Sequence, residues 1–271
     1  MAAASPHATF SNSRLVRQLA ALAGGAVAAA GAAEGVDAKQ TFAARLGRWL
    51  DWTDAIALSA VLNHGAALTS ADANADAQAD AQHLQGAAVE ACSRVRKDLV
   101  KLATADVAFA ADPAGNRGWH ALPASKTAAV PEGAVDFSPY RRDYLAHQRA
   151  MESSIGPLRL NVRAALSSQS ADLARLAALD AVMDEALRPR ERQVLASVPA
   201  RLEWHFEHLQ QTQAAETAAT VAADGQEPPI RSATWLARYH HDMQGVLLAE
   251  LDFRLQPIEG MMEALRHETT P

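Results

Sequence analysis

Apolar side chains in this chain recur three and four residues apart over long stretches, and nowhere do they alternate with polar residues in β-branched runs. That spacing is the period of one helix face, not of a pleated strand. The clearest stripe is Tyr144, Met151, Ile155, Leu158, Val162 and Leu166, opened by Ser138 as a cap and Pro139 at the first helical position. Hydrophobic residues make up 49% of the chain but aromatic residues only 5%. Much of the remainder is alanine, which forms helices well and covers little area. The expected fold is therefore all-α, with antiparallel helical hairpins packed as bundles.

The pattern divides the chain into four parts. Residues 1–12 lack any period and read as a disordered leader. Residues 13–110 form an N-terminal helical region, 111–138 a Pro/Gly-rich linker holding Pro113, Pro123 and Pro131, and 139–271 a C-terminal helical domain. In the first region, Ser13 caps a short amphipathic helix carrying Leu15, Val16, Leu19 and Leu22. Arg14 and Arg17 before an Ala-rich stretch loosely imitate a secretion signal, but Gly24-Gly25 interrupts it. A second helix runs from about Gln40 to Asn63, with Trp49 and Trp52 as packing anchors. The tract ADANADAQADAQ, ending at Gln82, has no apolar stripe and reads as a surface loop or solvated helix. Ala88, Cys92, Val95, Leu99 and Leu102 follow as a narrow seam of coiled-coil type.

In the C-terminal part, Ser170 starts a helix with Leu173, Leu176, Leu179 and Met183, and Pro189 opens another with Leu195, Val198, Leu202, Phe206 and Leu209. A loop over Ala214 to Arg231 precedes a last helix from Trp235 to about Arg266. Pro157, Pro199 and Pro257 fall inside these patterns, where a missing donor and a ring clash produce kinks or breaks.

Charge and cysteine usage narrow the function. With 25 Lys+Arg against 31 Asp+Glu the net charge is −6, which supports solubility and argues against a protein that coats nucleic acid. A lone cysteine, Cys92, fits a reducing, cytoplasmic setting and forms no internal disulfide. No run of eighteen strongly apolar residues exists, so direct membrane insertion is not expected. Serine nucleophile elbows, Walker-type loops and dinucleotide fingerprints are missing, so neither catalytic residues nor a cofactor can be assigned.

The most metal-like cluster is EWHFEH, with Glu203, His205, Glu207 and His208 on one helix. A di-iron bundle needs two Glu-x-x-His pairs and this chain has none, so a polar helix face is the better reading. His240 and His241 are adjacent, and a helix points them some 100° apart. Two helices carry crowded cations: Arg94, Arg96, Lys97 and Lys101 on one, and Arg141, Arg142, Arg149, Arg159 and Arg163 on the other. Arginine suits phosphate, so these faces are candidates for duplex DNA or an acidic partner surface.

Four stretches carry a resemblance: KQTFAARLGRWLDWTDAIALSAVLN, SPYRRDYLAHQRAMESSIGPLRLNVRAAL, LARLAALDAVMDEALRPRERQVLASVPARLEWHF and WLARYHHDMQGVLLAELDFRLQPIEGMMEALR. Together, from about Lys39 onward, they resemble a proteobacterial domain-of-unknown-function family that looks like the ZorF subunits of type III Zorya antiphage defence systems. The resemblance implies a soluble, cytosolic, non-catalytic component acting downstream of a ZorA/ZorB membrane motor, with a ZorG-like soluble protein as its nearest partner. It brings no catalytic residues with it. Self-association stays open, as do a metal-dependent nuclease-like effector and a helical scaffold in an unrelated pathway.

Overall fold

The computed structural model describes residues 13–22, 47, 49–64, 75–105, 136–224 and 232–268. Among them every regular element is a helix: α1 (Arg14–Leu22), α2 (Trp52–His64), α3 (Ala75–Ala105), α4 (Ser138–Ser167), α5 (Ala171–Leu195), α6 (Val198–Asp224) and α7 (Ser232–Glu268). The leader and nearly all of the 111–138 linker lie outside the described residues. No described helix is long and apolar enough to cross a membrane.

Local chemistry sets the helix ends. The Ser13 hydroxyl accepts from the Val16 amide at 3.2 Å, and Ser170 accepts from Leu173 at 3.3 Å, each satisfying one first-turn donor. Helix α4 begins one residue earlier than its Ser-Pro signature suggests. Phe137 is the cap residue, and Asp136 supplies the acceptor, taking the Ser138 amide and hydroxyl at 3.0 Å each. Those donors hold the Asp136 carboxyl below its ordinary value. At α2 a reciprocal box forms, in which Asp51 accepts from the Asp54 amide while Asp54 accepts from the Asp51 amide. Of the helix expected over 40–63, residues 40–46 and 48 lie outside the described residues, and the described helix starts at Trp52.

Prolines act by position. Pro199 sits in the first turn of α6, where its missing donor costs nothing, and the chain breaks between Leu195 and Val198 just before it. Pro189, expected to open a helix, lies inside α5, and α4 and α7 continue through Pro157 and Pro257. Of the loop expected over Ala214 to Arg231, the residues up to Asp224 are helical in α6 and 225–231 lie outside the described residues. The Ala/Asp tract is helical from Ala75 and continuous with the seam, with Ala81 buried.

Cross-helix bonds fix the directions. Gln169 reaches the Ala81 carbonyl at 2.8 Å and His147 approaches that of Leu102, so α3 and α4 are antiparallel. Arg163 meets Asp180 and Arg159 meets Asp184, so α4 and α5 form an antiparallel hairpin. Glu250 pairs with Tyr144 and Arg254 approaches Glu152, so α4 and α7 run parallel. Helix α3 is antiparallel to α7 through Arg96–Asp252 and Gln244–Ala103. The result is a bundle with α4 and α7 side by side at its centre, α3, α5 and α6 around them, and α1 laid across α6 and α7. Helix α2 packs outside, on α5.

Segments from 13–110 and 139–271 contribute to one buried cluster. Leu15, Leu19 and Leu22 of α1 join it, as do Ala88, Leu99 and Ala103 of α3 and all six residues of the α4 stripe. The seam of α3 departs from its heptad at the end: Ala103 is buried and Leu102 is exposed, since the spacing after Leu99 is four rather than three. Cys92 is half-buried on the seam, and burial raises its thiol above the ordinary value, which disfavours the thiolate. Trp49 and Trp52, expected as anchors, are 44% and 80% exposed. The aromatic anchors lie elsewhere: Phe137, Phe206, Trp235 and Tyr239 cluster edge-on or tilted where α4, α6 and α7 meet.

Candidate functional site

Helix α4 has a second face beside its apolar stripe. Arg141, Gln148 and Glu152 recur at helical spacing on it, and with Tyr144 they face α7 and the α5–α6 turn. There a fully buried carboxylate, Glu250, meets them. Its Oε2 accepts from the Tyr144 hydroxyl at 2.5 Å, both oxygens accept from Gln148 Nε2 at 3.1 Å, and Oε1 accepts from Arg254 Nε and Nη2 at 2.9 and 2.8 Å. A buried charge is tolerable only when paired and hydrogen-bonded in this way. Burial and then the Glu250 charge push the Tyr144 hydroxyl well above its ordinary value, so it stays a donor.

Above this network opens a pocket of about 340 Å³, lined by Arg141, Gln148 and Glu152 of α4, Arg192 of α5, Glu203 of α6 and Arg254 of α7, with Leu145 and Leu195 between them. Arg254 is 9% exposed and is clamped by Glu250, and its Nη1 lies 3.8 Å from Glu191 with no hydrogen bond among the described residues. Burial raises the Glu191 carboxyl, with Arg254 opposing it.

The remaining cations divide sharply. Arg159 and Arg163, placed by sequence on a contact face, are turned inward onto Asp180 and Asp184 at 2.5–2.9 Å, with the four side chains only 11–16% exposed. Burial works against the Asp184 charge, but hydrogen bonds from Arg188 and Arg163 outweigh it and hold the carboxyl below its ordinary value. Asp184 is thus structural. Arg96 is likewise engaged, bonding Glu259 and Asp252, and Asp252 also takes Arg14 at 2.7 Å. Arg94, Lys97 and Lys101 on α3, and Arg141, Arg142 and Arg149 on α4, remain exposed.

The EWHFEH residues are dispersed. His205 is buried with Nε2 at 2.9 Å from Asp242, and its Nδ1 has no hydrogen-bond partner among the described residues. His208 is exposed and stacks on Trp204 with ring centroids 5.2 Å apart. Glu203 turns to the pocket and Glu207 to solvent. Three residues apart on a helix is close enough to chelate, but here one imidazole enters the core and the other lies on the surface. Among the described residues no group of three or more His, Cys, Asp or Glu side chains could hold a metal ion. His240 packs against Tyr140 at 5.2 Å, and burial lowers its basicity.

Sequence reasoning missed Tyr144 and Gln148 as polar partners, Glu250 as a buried acid, and Arg254 and Arg192 altogether. The only available signal was the i, i+4 pair Glu250–Arg254 on a helix whose flanking residues Leu247, Leu251 and Leu255 are all core-facing.

No curated protein and no solved structure matches this chain. A family model described as "Protein of unknown function (DUF3348)" matches residues 1–267. The chain belongs to that DUF3348 family.

Proposed function

We propose that this protein is a non-catalytic, cytoplasmic subunit that works by surface contact, in a Zorya-type antiphage defence system alongside a ZorG-like soluble protein and downstream of a ZorA/ZorB motor. The system assignment rests on the sequence resemblance. The contact mode rests on one structural observation: Arg94, Lys97, Lys101, Arg141, Arg142 and Arg149 project from α3 and α4 with no hydrogen bond or ion pair from their side chains among the described residues, while neighbouring arginines are consumed internally. Cations left unpaired on an acidic protein are available to a phosphate or carboxylate surface.

Deleting the gene from a host that carries such a system tests the role. Loss of phage resistance, restored by the wild-type chain but not by Arg141, Arg142 and Arg149 reversed to Glu, is the expected result. Full resistance without the gene would overturn it and favour a scaffold in another pathway. Co-purification with the ZorG-like protein tests the partner, and sedimentation of the isolated chain reports self-association.

The same exposed arginines favour duplex DNA as a second contact. Binding should weaken steeply with salt, since each neutralised phosphate releases counterions. A nuclease-like reading would need His205 and His208 on one ion, and their opposite burial argues against it.

A further inference from the structure

We infer that the pocket between α4, the α5–α6 turn and α7 binds a small zwitterion, a ligand that carries both a carboxylate and an ammonium group, as α-amino acids do. The inference does not rest on the contact role proposed above, although Arg141 serves in both, and its test therefore uses Arg192 and Glu203 instead. Its volume of about 340 Å³ is at the small end of the range for small-molecule sites, and its wall combines apolar patches at Leu145 and Leu195 with convergent charged groups.

The charges are of both signs and are incompletely paired with each other. Arg141, Arg192 and Glu203 all line the pocket, and none of the three forms an ion pair within 4.0 Å among the described residues. The floor is rigid. Glu250, held by Tyr144 and Gln148, takes the Arg254 guanidinium through Nε and Nη2, while Nη1 lies 3.8 Å from Glu191; Arg254 also lines the pocket. Arg254 is already met by Glu250, Glu152 and Glu191, so the ligand's carboxylate falls to the unpaired guanidiniums of Arg141 and Arg192 at the rim, whose forked donors match it.

A simple anion fits less well. Beside its arginines the lining holds two acids, Glu152, which approaches Arg254 at 3.6 Å, and Glu203. Glu203, without a cationic partner, is then the acceptor for the ligand's ammonium. Unpaired arginines and a free carboxylate in one pocket select for a molecule with both charges and against one with either alone.

Thermal-shift and calorimetric titration of the full chain with a panel of the common L-α-amino acids, with succinate and inorganic phosphate as anions lacking an amine, tests this. At least one amino acid should bind saturably, with succinate and phosphate much weaker. Arg192→Gln should weaken that binding about tenfold or more, as expected for a lost charge-assisted hydrogen bond. Glu203→Gln should weaken the amino acid and leave succinate unchanged or improved. Both residues lie at the pocket rim, so folding is expected to survive, and circular dichroism verifies it. No saturable amino-acid binding, or binding unaffected by both substitutions, overturns the inference. Equal affinity for succinate and its amino analogue would overturn the ammonium subsite.

Discussion

Tyr144 donates its hydroxyl hydrogen to Glu250 at 2.5 Å across the α4–α7 interface, joining residues 106 positions apart, both with 0% exposure. The contact sets the register of the two central helices, because a one-turn slip would leave a carboxylate buried against apolar side chains. Tyr144→Phe keeps the ring packing and removes one bond to a charged acceptor. It should cost about 1.5–3 kcal/mol in chemical denaturation. Glu250→Ala strands Arg254 as well and should cost about 3–5 kcal/mol. If Tyr144→Phe proves neutral, the network is not what aligns the helices.

The Arg159, Arg163, Asp180 and Asp184 lattice makes a separate prediction for the α4–α5 hairpin. Its side chains are mostly buried, so Asp180→Ala leaves two guanidiniums sharing one carboxylate and should destabilise by about 3 kcal/mol, the lower end for a broken buried pair. A double-mutant cycle with Arg163→Ala should return a coupling of about 1 kcal/mol or more. Additivity would mean that each side chain acts alone. Since Asp184 titrates below its unfolded value of 3.8, its contribution is present above that pH and is lost as pH falls through the folded value.

His240 gives a dependence of stability on pH at milder acidity. Burial against the Tyr140 ring lowers its pKa below the ordinary 6.5, so below that pH the unfolded chain binds a proton that the folded chain resists. More protons on the unfolded state means stability falls as pH falls from 6.5 and levels off once the folded ring titrates. His240→Phe removes both this pH dependence and a buried nitrogen that has no hydrogen-bond partner among the described residues. Denaturation midpoints measured from about pH 7.5 to about pH 5 should drop less for the variant than for wild type. An identical slope would assign the acid sensitivity to another group.

Periodicity alone carried the helical class, because Tyr144, Met151, Ile155, Leu158, Val162 and Leu166 mark one face whatever packs on it, and all six are buried. The caps at Ser13 and Ser170 were readable because they are local hydrogen bonds. What failed was whatever depends on the neighbour. Pro189 looks like an opening residue until α5 passes through it, and Trp52 looks like an anchor until α2 proves to sit outside the bundle. The arginines show the limit most clearly. Arg149 and Arg159 are equivalent in sequence, ten positions apart on one helix, yet one faces solvent and the other faces two aspartates on α5. Sequence could not pair them because the pairing partner is set by tertiary register.

That division yields a test of surface contact that separates binding from folding. Arg142 and Arg149 are exposed, seven residues apart on the same outer face of α4, and lie outside the pocket. Arg142→Glu combined with Arg149→Glu should change stability by no more than about 0.5 kcal/mol, as for surface substitutions without partners. It should nonetheless reduce binding to the ZorG-like protein or to labelled duplex, and flatten the salt dependence of any DNA binding by about one to two counterions. Arg159→Glu, by contrast, places a third acid beside Asp180 and Asp184 and should unfold the hairpin before any binding is measured. Reversal at 142 and 149 that leaves partner capture, duplex mobility at low salt and phage resistance all intact would remove this face of α4 from the contact surface. The α3 cations Arg94, Lys97 and Lys101 would then be the next face to reverse, since they meet the same criteria of exposure and freedom from internal partners.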